Sequence, residues 1–249
     1  MNPAHNQRLL IKQKNLQKVN LSPTKKLKIT RKSTCRQRLI RRIWKNYGGL
    51  LKILSEKLKI DPAAAVAVLC VESKGKGFAQ NGRMIIRFEN HVFWKFWGKS
   101  HPSFFSAHFR FNPRKPWQGH KFRKNLKSDW TIFHRKGQSG EWGVFEFARS
   151  RHQRFAMYSI SMGMPQIMGF NHKRIGYKSA KMMFDSFSRS ERNQIIGLFD
   201  FIAQTGSNLT YALEKKNFFT FARLYNGAGR AKVYADRIKI YYELFKKLI

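Results

Sequence analysis

The sequence predicts a mainly α-helical fold that carries one small β-hairpin. Three observations lead there. Apolar residues recur at helical spacing through 47–72, on either side of Asp61-Pro62. Asn81-Gly82 then falls between two apolar runs, a strong short-range hairpin signal. Helical patterns return near 141 and, after an interruption at 159–177, continue to the C-terminus.

The first 45 residues contain no Asp or Glu, many Lys and Arg, and no sustained period. They read as a flexible basic arm, because so little apolar surface cannot offset ordering entropy. A nucleic-acid-binding tail or an organelle-targeting presequence would share this composition. Order is expected from about Ile43. Leu50, Leu51, Leu54 and Leu58 in 47–60 fall on one helical face. Asp61 and Pro62 then supply an N-cap and a first-position proline. The helix 62–72 is apolar all round and therefore predicted to be buried. Gly75 and Gly77 end it. The hairpin follows over 78–94. Residues 95–145 are rich in His, Phe, Trp and Pro and read as an insertion of short helices and loops whose aromatics pack on the core. Later helices are expected at about 141–158, 179–186, 188–204, 207–216, 217–225 and 230–248.

Composition narrows the function classes. The chain has 249 residues, 50 Lys+Arg against 13 Asp+Glu, and a net charge of +37. Such a surface attracts polyanions: nucleic acid, anionic membrane or anionic cell-wall polymer. Two cysteines make no disulfide framework. No apolar stretch approaches the roughly 20 residues that span a bilayer, and the basic N-terminus lacks the apolar core of a secretory signal. The histidines are dispersed, without an HExxH pattern or Cys/His pairs at zinc spacing, so no metal ligands are assigned. The tryptophans suit stacking on sugars, although core packing is their commoner role.

One carboxylate stands out. Glu72 ends the apolar helix, with Val68 and Leu69 one turn back. Both the negative end of the helix dipole and desolvation oppose its ionisation, so its pKa is expected to be raised. A raised carboxylic acid is what glycoside cleavage needs at its leaving oxygen. "VES" (71–73), "GMPQIMG" (163–169) and "LYNGAG" (224–229) occur in that order and resemble the three signature segments of lysozyme-like glycosidases. The chain is most similar to the N-acetylmuramidase family of phage endolysins and bacterial cell-wall hydrolases, from about Tyr47 to the C-terminus. That resemblance implies a lysozyme-like α+β domain over 46–249. It implies cleavage of the β-1,4 bond between N-acetylmuramic acid and N-acetylglucosamine in peptidoglycan glycan strands, without metal or organic cofactor. It further implies Glu72 as catalytic acid, a Gln-Ile segment with Gln166 that lines the cleft, and a Tyr-Asn segment with Asn226 that contacts sugar or orients the acid.

Glu89, on or just after the second hairpin strand, is the best second carboxylate; capping a turn or pairing with Arg83 or Arg87 weighs equally. Glu141 and Glu146 rank below it, because 141–148 reads as an exposed helix start. Ser161 and Tyr225 are placed to hydrogen-bond near Glu72. Two other readings stay open at this point: a basic nucleic-acid-binding protein, and a lyase on the same substrate that cyclises the muramic acid as lytic transglycosylases do. The wall substrate places the activity in the periplasm or outside the cell, by an export route the sequence does not name.

Overall fold

Helical structure starts earlier than the leucine spacing indicates. In the computed structural model, which describes residues 10–28, 30–204 and 207–249, the first long helix, α1, spans Cys35–Leu58. Thr34 nucleates it with a capping box, accepting the Gln37 N–H while the Gln37 side chain accepts the Thr34 N–H. α2 spans Pro62–Ser73. Its N-cap is Asp61, whose Oδ1 accepts the Ala63 N–H at 2.8 Å. The other carboxylate oxygen accepts the Tyr242 hydroxyl at 3.0 Å and the Lys246 ammonium at 3.3 Å. Every residue of α2 from Ala63 to Cys70 is buried, because α1 and the C-terminal helix Ala231–Lys246 both pack against it. Lys74 and Gly75 end it in the left-handed region, at φ 53° and 65°. Cys35 is exposed and Cys70 buried, both as free thiols.

The expected flexible arm is anchored to the fold at several points; residues 1–9 and 29 lie outside the described residues. Leu10, Leu16 and Leu27 are buried. Asp200, itself buried, accepts the N–H groups of Leu10 at 2.6 Å and Ile11 at 2.9 Å. The Trp44 indole donates to the Lys25 carbonyl at 2.8 Å, and the Gly49 N–H donates to the Leu21 carbonyl at 2.9 Å. A β-carbon at Gly49 would lie 2.4 Å from the carbonyl oxygens of Asn20 and Ser22, so only glycine lets the strap lie that close. Widely spaced leucines show no period, yet each fills a separate site, and polar anchors from distant helices hold the backbone between them.

Beyond Gly77 the aromatics take over. Phe78 bridges Met84 across the Asn81-Gly82 turn, in which Gly82 alone has positive φ (75°). The turn is therefore not the type I′ that an Asn-Gly pair predicts, since that type needs positive φ at both residues. Strand β1, Ile86–Phe88, finds its partner later in the chain. β2 (Phe109–Arg110) and β3 (Lys121–Phe122) form a separate antiparallel pair. β4 (Ile160–Met162) pairs antiparallel with β1, Ile86 opposite Met162, and with β5 (Ile167–Met168) on its other side. Phe88, Phe93, Phe105, Phe109 and Phe133 make a core of ring contacts 5.1 to 6.5 Å apart. The 95–145 stretch holds short helices and loops, and also the β2–β3 pair that its composition did not indicate.

The remaining helices fall near their expected places: Gly137–Arg151, Gln153–Tyr158, Ala180–Arg189, Glu191–Gln204, Ser207–Glu214, Phe218–Asn226 and Ala231–Lys246. The chain divides into two compact units, one comprising the chain up to Gly77 with 174–176 and 190–249, the other 78–173 with 177–189. Mainly helical architecture with a small sheet matches the predicted class. Among the described residues no helix is long and apolar enough to cross a membrane.

Candidate active site

Glu72 leaves α2 one residue before its end, half-buried above the fully buried Val68 and Leu69. Burial pushes its carboxyl up from 4.5 to about 7, against the pull of one hydrogen bond from Asn226. That bond runs from Asn226 Nδ2 to Glu72 Oε1 at 2.9 Å. Asn226 is the last residue of helix Phe218–Asn226, which Gly227 ends at φ 89°. The "LYNGAG" turn thus brings an amide within hydrogen-bond distance of Glu72. Tyr225 precedes it, half-buried, with its ring 5.3 Å from both Phe201 and Phe221. Burial and the Glu72 charge raise the Tyr225 phenol well above its ordinary value, so it stays a neutral hydroxyl. An acid near neutrality, one oxygen held by a neutral amide and the other left to carry a proton, is equipped for proton donation.

The second unit carries the other predicted residues. Ser161, in the centre of β4, donates its hydroxyl to Gln166 Oε1 at 2.8 Å. The Gln166 amide nitrogen donates to the Gly163 carbonyl at 2.7 Å. Gln166 itself is held at φ 52°, an uncommon conformation for a residue with a side chain. Its side chain is thereby fixed over the β4–β5 turn. Ser161 makes its polar contact with Gln166 and so orients that amide.

Glu89 follows β1 and is the N-cap residue of α3, Asn90–Phe96, without a side-chain cap bond. Its Oε1 pairs with Arg87 Nε at 2.9 Å, and Arg83 pairs elsewhere, with Glu146. Its Oε2 faces two imidazole nitrogens, His91 Nδ1 at 3.5 Å and His120 Nδ1 at 3.4 Å. The Asn90 amide donates to the carbonyls of Arg110 and Lys121 at 2.8 Å each, which draws the 120 loop alongside 89–91. Behind His120 stands His134, N to N at 3.1 Å, and behind His134 is Glu141 at 2.6 Å. Glu141 also accepts the Phe88 N–H at 2.8 Å and is buried. It is no exposed helix start: the helix begins four residues earlier, at Gly137, and turns Glu141 onto the end of β1. Burial lowers the pKa of His91 and His120, partly offset at His120 by Glu89. Nothing in the sequence spacing of 89, 91, 120, 134 and 141 announces this chain of side chains; only the β2–β3 fold assembles it. Of the tryptophans, Trp97 and Trp142 are core, and Trp130 lies beneath the guanidinium groups of Arg110 and Arg123.

A helical fold with a small sheet, and an acid at the end of its buried helix, is that of a lysozyme-like glycoside hydrolase. The model of the N-acetylmuramidase family matches residues 61–246, and the chain belongs to that family of peptidoglycan-degrading glycosidases. The crystal structure of the Burkholderia AP3 phage endolysin superposes with a TM-score of 0.62 at 25% identity, over 79% of this chain and 70% of that one. No curated protein matches the chain significantly.

Proposed function

We propose that this chain cleaves the β-1,4 bond between N-acetylmuramic acid and N-acetylglucosamine, with Glu72 as general acid. The observation that carries the proposal is the Glu72–Asn226 pair: a desolvated carboxyl raised to about 7, with one oxygen occupied by an amide N–H at 2.9 Å. The free oxygen delivers the proton to the leaving glycosidic oxygen, and the amide then stabilises the carboxylate left behind. The developing positive charge on the muramic acid ring is met by the substrate's own acetamido group or by the incoming water, and that water completes the hydrolysis and returns a proton to Glu72. Gln166, oriented by Ser161, and Asn226 are assigned to the sugar hydroxyls and N-acetyl groups, which neutral amides suit as both donors and acceptors. Tyr225 is assigned a neutral hydroxyl contact beside the acid. The net charge of +37 holds the enzyme on anionic wall polymer.

Purified peptidoglycan is the test. The Glu72→Gln variant keeps shape and loses the proton; clearing at the parental rate would remove Glu72 from the mechanism. Mass spectrometry of the released muropeptides should show hydrated reducing-end muramic acid, whereas anhydro-muramic acid would replace hydrolysis by a lyase reaction.

A further inference from the structure

Three side chains of the second unit converge, and two of them bring buried polar atoms that no hydrogen bond satisfies. Glu89, His91 and His120 each offer one ligand atom, and these atoms lie within 4.8 Å of one another. Glu89 Oε2 and His91 Nδ1 are buried and make no hydrogen bond. Buried polar atoms left without a hydrogen bond are costly, and these two face each other at 3.5 Å. Zinc bound at about 2.0–2.1 Å in a tetrahedron sets its ligands roughly 3.3–3.4 Å apart. The Glu89 oxygen is 3.5 Å from His91 Nδ1 and 3.4 Å from His120 Nδ1.

The surroundings prepare these atoms as ligands. His120 Nε2 lies 2.7 Å from the Pro116 carbonyl, which only accepts, so Nε2 carries a hydrogen and Nδ1 is the face free to bind. Outer-shell bonds of this kind orient metal-bound histidines. Arg87 holds the other Glu89 oxygen and leaves Oε2 for the site. His120 Nδ1 also lies 3.1 Å from His134 Nε2, and His134 Nδ1 is 2.6 Å from Glu141, which ties the site to the buried end of β1. Two imidazoles and one carboxylate suit zinc, whereas magnesium and calcium prefer oxygen donors throughout.

We propose that Glu89, His91 and His120 form a zinc-binding site, closed by water at the fourth position. The site goes beyond the proposed glycosidase reaction, and its occupancy is read without turnover.

The test is isothermal titration of ZnCl₂ into the untagged, chelator-treated full chain. The expected result is one zinc per chain. His120→Ala and His91→Ala should each weaken binding at least about tenfold. His91 is the safer variant for folding, because its Nδ1 makes no hydrogen bond to lose. Cobalt in place of zinc should give the intense visible absorption of a four-coordinate site, lost in His91→Ala. The Glu72→Gln chain should bind zinc as the parent does, so failure of the catalytic reading leaves the metal result standing. Absence of saturable binding in the parent, or undiminished binding in a folded His91→Ala chain, overturns the proposal.

Discussion

Asn226→Leu should move the alkaline limb of the activity profile upward. The reasoning is electrostatic. At pH 7 a carboxyl of pKa about 7 is half protonated, whereas one at 4.5 would be protonated in roughly 0.3% of molecules, so desolvation supplies the acid. The Asn226 N–H, 2.9 Å from Oε1, is the one group pulling the other way, because it favours the charged form. One pKa unit corresponds to about 1.4 kcal/mol. A hydrogen bond to a charged group contributes roughly 1.5–3 kcal/mol when well shielded, and less at an exposed amide such as this one. Removing it should therefore raise the limb by about half to one pH unit. Maximal rate should fall at the same time, since the carboxyl loses its orientation. The assay is the initial rate of glycan cleavage on soluble muropeptide oligomers from pH 5 to 9 at constant ionic strength, which keeps the +37 charge from distorting binding. A limb that stays in place, or moves to lower pH, would refute the assignment of that limb to Glu72.

Other substitutions test separate parts of the structure. Glu72→Gln should lower the rate on purified peptidoglycan about 10²–10⁴-fold, the usual contribution of a general acid, with the melting temperature little changed. Burial holds Asp200 at about 7 in the fold against 3.8 when free, so the folded chain retains a proton that the unfolded chain releases. That contribution to stability is full below about pH 4 and is lost as pH rises through 7, on the order of 2–4 kcal/mol in all. Thermal melts of Asp200→Asn against the parent should show the slope disappear from the variant; parallel slopes would contradict it. Gly169→Ala would set a β-carbon 1.9 Å from the Met157 carbonyl oxygen and should cost more than about 2 kcal/mol. Gly143→Ala meets nothing within 4 Å on its helix and should be neutral or stabilising by up to about 1 kcal/mol. Chemical denaturation compares the two.

Legibility followed the range of the interactions. The Asp61 cap, the buried run from Ala63 and the left-handed stop at Lys74 and Gly75 are local, and the sequence displays them. The raised Glu72 carboxyl was likewise readable, from its dipole position and its apolar neighbours. The partner that tunes it lies 154 residues away and was reached only through the resemblance of "LYNGAG". Strap residues 10–34 show no period because a different distant group meets each turn of backbone; Asp200 is 190 residues from Leu10. The histidine cluster was hidden for the same reason. His91, His120 and His134 sit on three different local structures, and sequence spacing has no way to express a meeting that β2 and β3 impose.

The dependence of α2 on its neighbours bears on how the enzyme can be trimmed. The family match opens at residue 61, one residue before α2, and leaves out α1 altogether. A recombinant chain started at that boundary would keep all the signature segments and lose the helix that shields one side of Ala63–Cys70. Water would reach the apolar wall behind Glu72, its carboxyl would drift back toward an ordinary value, and the shortened product would be a poorer acid at neutral pH as well as a less stable one. A minimal catalytic version of this enzyme therefore has to retain α1.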